Sequence, residues 1–162
     1  NKNYYQYFFD KPGSFTSKFY AYNINNQYII PPCYSNKFIV FANNLDSNTL
    51  KTLESDFCTS ERNKPIISEA INYKYPFVLN FFNSQKSQKH YIILRHKIKD
   101  NIEKLRLSRP FSLIILDIDF KNIAEKAILD DSHTPHLSFN IDDRIYIKQN
   151  LKDESKNIFS IF

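Results

Sequence analysis

The sequence predicts an α+β fold, an antiparallel sheet with helices packed on one side. Three observations carry that expectation. Short apolar runs recur at 77–82, 91–95 and 113–118, each bounded by polar residues, as strands are. Two further pairs of β-prone runs flank Asn25-Asn26 and Asp142-Asp143. Asn and Asp tolerate the positive φ that hairpin turns need. Finally, Phe120, Ile123, Ala124, Ala127 and Ile128 share one face at helical spacing, which predicts a helix over 120–129. Strands grouped with helices at one side of an antiparallel sheet make up this class.

Taken in order, residues 1–10 hold Tyr4, Tyr5, Tyr7, Phe8 and Phe9, the end of a helix or an aromatic lead-in, which Pro12-Gly13-Ser14 interrupts. Residues 19–24 and 27–30 form the first hairpin, ended by Pro31-Pro32. The run 38–42 is apolar but too short to type. Cap candidates at 46–49 predict a short helix over 50–57. Residues 59–65 read as a loop, and 66–71 as a helical turn stopped by Tyr75-Pro76. Strands follow at 77–82 and 91–95. The charged residues 97–110, a connection or a short helix, lead to the strand 113–118, which runs into the 120–129 helix. After the loop 130–136 come the strands 137–141 and 144–148 around Asp142-Asp143.

At 162 residues the chain reads as a single domain spanning 1–162. Its 24% charged residues leave enough apolar side chains for a core, which argues against disorder. Lys and Arg number 22 against 17 acidic residues, a net charge of +5, but the basic side chains are scattered. A nucleic-acid footprint clusters them, so nucleic acid is not expected as a partner. Asn, Ile and Lys are abundant, as AT-rich codons would make them, so composition is a poor guide to function. The chain contains no Met, which reads as processing or excision from a longer polypeptide. No stretch approaches the ~18 apolar residues of a membrane helix. Cys33 and Cys58 stand apart and read as two buried thiols; the alternative is a bridge worth on the order of 3 kcal/mol.

The order of elements resembles an extracytoplasmic Cache (PDC-type, PAS-like) sensor domain of bacterial membrane receptors such as histidine kinases. Phe19-Tyr-Ala-Tyr-Asn-Ile-Asn-Asn-Gln-Tyr-Ile-Ile30 is similar to the family's early strand pair. Tyr91-Ile-Ile-Leu-Arg-His-Lys-Ile-Lys-Asp100 resembles a sensor strand running out into a charged stretch. Leu113-Ile-Ile-Leu-Asp-Ile-Asp-Phe-Lys-Asn-Ile123 resembles the family's strand-to-helix step, and Phe139-Asn-Ile-Asp-Asp-Arg-Ile-Tyr-Ile147 its closing hairpin. The resemblance implies a PAS-like sheet and a non-catalytic ligand-sensing role in signal transduction. It also implies an extracytoplasmic location, a membrane-anchored parent chain, a small-molecule ligand and compatibility with a homodimer. No cofactor is implied. Two departures count: the turns lack the family's Gly, and with no Trp the chain lacks the pattern of amino-acid-binding members. The alternative reading is a basic α/β interaction module that binds nucleic acid or an acidic protein.

Four residues are candidate ligand contacts: Asp117, Tyr73, Tyr75 and Arg95. Asp117 matches the family aspartate that receives a hydrogen bond or ion pair from a ligand amine, and a carboxylate at a strand end accepts charge-assisted bonds. The competing reading makes it a backbone cap. Asp119 reads as the cap of the following helix. Asp130, Asp131, His133 and His136 make the one metal-like cluster, but His-x-x-His in a Pro-containing loop lacks a helical ligand face, so no metal is assigned. His90 and His96 read as exposed. With one Gly, neither a phosphate-cradling loop nor a Gly-x-Ser-x-Gly elbow can form, so no enzyme activity is expected.

Overall fold

The computed structural model describes residues 22–24, 27–30, 36–42, 47–58, 76–97, 110–151, 153 and 155–162. Among them there is no helix. The α+β expectation is therefore corrected: the described chain is all-β, built from three antiparallel sheets. The first sheet is β1 (Tyr22–Ile24), β2 (Gln27–Ile30), β3 (Lys37–Phe41) and β4 (Asn48–Thr52). The second is β5 (Phe77–Ser84), β6 (Lys89–Arg95), β7 (Phe111–Leu116) and β8 (Asn122–Ile128). The third holds β9 (His133–Ile141), β10 (Arg144–Gln149) and β11 (Phe159–Ile161). Each sheet is a meander in which sequence neighbours pair.

Two predicted helices are strands or turns. Residues 50–57 divide between β4 and a turn in which the Ser55 hydroxyl accepts the Phe57 N–H. Residues 122–128 form β8, paired along β7 from Leu116↔Asn122 to Phe111↔Ile128. Phe120, counted as the start of a helical face, belongs to the reversal between β7 and β8. There the Phe120 N–H reaches the Asp117 carbonyl at 3.1 Å, and the Asp117 N–H reaches the Lys121 carbonyl at 3.0 Å. Phe120 sits at φ 67°, a position such three-residue loops normally give to glycine. A left-handed L-residue costs about 1–2 kcal/mol. Burial of the Phe120 ring, worth about 1.5–3 kcal/mol, offsets that cost. Ala, Glu and Lys favour helix locally, and pairing to a buried strand overrides them.

The packing explains why β6 and β7 are almost continuously apolar. Successive side chains on a strand point to opposite faces. Ile92, Leu94, Ile114 and Leu116 pack with Ile29, Phe38, Val40 and Leu53 of the first sheet's side. Tyr91, Ile93, Phe111 and Leu113 pack with Ile145 and Ile147 of β10. The middle strands of the second sheet, β6 and β7, are thus buried on both faces, between the first and the third. The four-residue connection 129–132 carries the chain from β8 to β9. The first strands of the two sheets, β5 and β9, lie side by side. Asn80 Nδ2 ties them by donating to the Ser138 hydroxyl at 2.5 Å and toward the Pro135 carbonyl at 3.4 Å.

The two rims of these sheets differ. At one, the reversals 85–88, 117–121 and 142–143 are tight, with positive φ at Gln88, Phe120, Asp142 and Asp143. At the other, the strands run out into the longer connections 96–110 and 150–158, and there lies the connection 129–132. Long connections on a rigid scaffold are where binding residues concentrate.

Candidate functional site

The register of β9 on β10 breaks between Ile147 and Lys148. Ile147 pairs Ser138, but Lys148 pairs Thr134, so residues 135–137 bulge out of β9. Pro135 explains the break, because it has no N–H for the ladder. Its side chain is fully buried, and its carbonyl accepts the Ser138 hydroxyl at 2.9 Å as well as the Asn80 amide. The bulge is therefore clamped from behind and presents His136 to solvent. Bulges re-aim side chains in this way. Burial lowers the His136 pKa first, and the positive charges of Arg95 and Lys148 lower it further. Arg95, half-buried, ends β6 opposite Phe77, the first residue of β5. Three basic groups thus gather at the long-connection rim, where the first strands of two sheets meet. This field suits a carboxylate or phosphate.

Beside it runs a row of hydrogen bonds. The Asp130 carboxylate accepts the Ser132 N–H at 3.1 Å and the Ser132 hydroxyl as well. Ser132 Oγ meets His133 Nδ1 at 2.6 Å, and His133 Nε2 meets Ser160 Oγ at 2.8 Å. Gln149 Nε2 donates to Ser160 Oγ at 2.8 Å. The carboxylate can only accept, so the Ser132 proton points to Asp130 and Ser132 accepts from His133 Nδ1–H. A neutral His133 then accepts the Ser160 proton at Nε2. The bonds from Ser132 hold the Asp130 carboxyl below its ordinary range. Burial lowers His133; Asp130 opposes that shift, while Lys126 adds to it. This row stitches β11 and the 129–132 connection to β9.

The remaining histidines are buried, not exposed as the sequence suggested. His90 lies between the rings of Phe81 and Phe120, at 5.4 and 4.7 Å. Burial lowers its pKa, against the raising effects of Asp117 and the Ile118 backbone. His96 stacks on Phe57 at 3.8 Å and 8°, with Nε2 2.8 Å from Ser112 Oγ. Burial pushes its pKa down to about 4. Nearby, Cys58 is a buried thiol pushed up to about 11 by burial and the Glu125 charge. Cys33 lies outside the described residues.

Of the four predicted contacts, Arg95 joins the basic group at the bulge. Asp117 serves the backbone: its Oδ1 accepts the N–H of Asp119 at 2.9 Å and of Lys121 at 2.8 Å. The cap expected at Asp119 is thus made by Asp117, and it caps a turn instead of a helix. Tyr73 and Tyr75 lie outside the described residues. His133 and His136 part company: the first turns inward to Ser160, the second outward on the bulge. Among the described residues no group of three or more His, Cys, Asp or Glu is placed to hold a metal ion. Sequence reasoning did not bring His136 and Lys148 together with Arg95. The available signal was Pro135, which marks an irregularity inside a strand.

No family model matches the sequence, and no curated protein matches it. Among solved structures, the chain is similar to a member of the DUF4221 family from Bacteroides vulgatus. The TM-score is 0.69 at 16% identity, over 89% of this chain and 45% of that one. The likeness is one of fold. The chain spans less than half the length of the structure it matches.

Proposed function

We propose that this chain is a non-catalytic binding module that reads an anionic group on a small molecule through Arg95, His136 and Lys148. The observation that carries the reading is the clamped bulge in β9, which sets an exposed histidine in a basic field at the long-connection rim. An anion there would offset the Arg95 and Lys148 charges, which add to burial in lowering the His136 pKa. Binding would therefore raise the His136 pKa and strengthen as pH falls toward it. A sensing role fits the same arrangement, since the clamp through Asn80 joins the bulge to the second sheet. Placement of the parent chain at the outer face of a membrane is part of this proposal, and nucleic acid is not the partner it names.

The test is titration of the chain with inorganic phosphate and with short mono- and dicarboxylates at pH 6, followed by His136 ring resonances and calorimetry. Saturable binding with an upward shift of the His136 pKa is expected. In Arg95→Gln/Lys148→Gln, affinity should fall about 10- to 100-fold, the range for a lost charge-assisted bond. Unsaturable binding, or equal affinity in the double variant, rejects the reading.

A further inference from the structure

We infer that the three sheets are consecutive blades of a longer radial stack, and that the outer face of the third sheet seats the next blade, carried on the parent polypeptide. The inward face of that sheet, with Ile145 and Ile147, is closed against the second sheet. Its outward face is set by the pairing of Tyr146 with both Phe139 and Ile161. On it Phe139 and Tyr146 stack at 4.9 Å and 7°, and Phe159 meets Phe139 edge-on at 5.1 Å. Ile141 and Ile161 flank this aromatic group and are 52% and 57% exposed. A contiguous apolar face of this kind marks a surface built to be covered.

What covers it follows from the rest of the chain. The second sheet meets a neighbouring sheet on each of its faces, and the same aliphatic and aromatic chemistry is used both times. Four-strand meanders stacked face to face, with first strands side by side, are how β-propellers repeat. The solved structure that shares this fold extends to more than twice the matched length, so room for further sheets exists in that architecture. The charged side chains that the strands set on this face are Arg144 and Lys148. Two copies facing each other would bring like charges together. The occupant is therefore a sheet with an apolar face and an acidic residue opposite Arg144. This face shares Lys148 with the proposed anion site, but the inference rests on the apolar residues of the face and not on anion binding.

The test is thiol protection. In a Cys33→Ser background, Phe139→Cys and, separately, Ile161→Cys are introduced into residues 1–162 and into the full parent chain. Buried Cys58, with its raised pKa, gives a slow common background. Maleimide should label both introduced thiols rapidly in 1–162 and roughly 100-fold more slowly in the parent, as at a core position. Equal rates in the two chains overturn the inference, as does a parent reading frame that stops at Phe162. Sedimentation of 1–162 supplies the other arm: a discrete dimer abolished by Phe139→Lys would give the face to a second copy and overturn it as well.

Discussion

His96 makes the stability of this protein depend on pH in a calculable way. The ring is 5% exposed, stacked on Phe57 and bonded to Ser112, and its pKa lies at about 4. In the unfolded chain a histidine titrates near ~6.5. Because the folded value is the lower one, the unfolded chain takes up the proton first. The full contribution of neutral His96 is present above pH ~6.5 and is lost progressively as pH falls toward about 4. At about 1.36 kcal/mol per pH unit, the fall from ~6.5 to about 4 exceeds ~3 kcal/mol, and the part lying above pH 4.5, reduced by solvent screening, is about 2. The assay is urea denaturation at pH 7.5 and 4.5, a window in which the depressed carboxyls of Asp130 and Asp153 stay ionised. His90, His133 and His136 shift the same way, so the comparison needs a chain lacking only His96. His96→Phe/Ser112→Ala keeps an aromatic ring over Phe57 and leaves no buried hydroxyl unpaired. The wild type should lose about 2 kcal/mol more than this variant between the two pH values. Parallel losses in the two chains would refute the reasoning.

Three further outcomes are expected. Asp117→Ala removes the acceptor of two backbone N–H groups and should cost about 1–2 kcal/mol in chemical denaturation, with phosphate affinity unchanged. Gln88→Gly should raise the melting temperature by the equivalent of about 0.5–1 kcal/mol, because an exposed residue at φ 54° is relieved of its left-handed cost. Phe38→Ala, which empties a fully buried site against Phe81 and Phe120, should cost about 3–5 kcal/mol by equilibrium unfolding and expose the face between the first and second sheets.

β5, β6 and β7 of the second sheet and β9 and β10 of the third were legible as short β-prone runs, β6 and β7 most clearly because a strand covered on both faces is apolar at nearly every position, whereas β11 had no predicted counterpart. Their ends were less so: 113–118 shifted to β7 at Phe111–Leu116 once Asp117 began the reversal. β8 was hidden by its place at a sheet edge. Its exposed Ala124, Lys126 and Ala127 carry no burial pattern, so helix spacing was the pattern left to read. The histidines were misjudged for a related reason. The partners that bury His96, Phe57 and Ser112, come from another sheet's connection and a neighbouring strand, and no local signal joins them. Arg95 was identified by its position at a strand end, whereas its companions His136 and Lys148 depend on a bulge.

Asn80 makes the two adjoining first strands, β5 and β9, one mechanical unit. It sits where β5 itself departs from regular pairing, between Val78 and Asn80, and its amide grips the base of the β9 bulge. Two irregular segments that would each bend independently thereby share a hinge. Any load applied at His136 pulls on Pro135 and Ser138, then on the kink in β5, and so on the core of the second sheet. The same amide ties the bulge to that core, so whatever binds there meets a surface already held in shape.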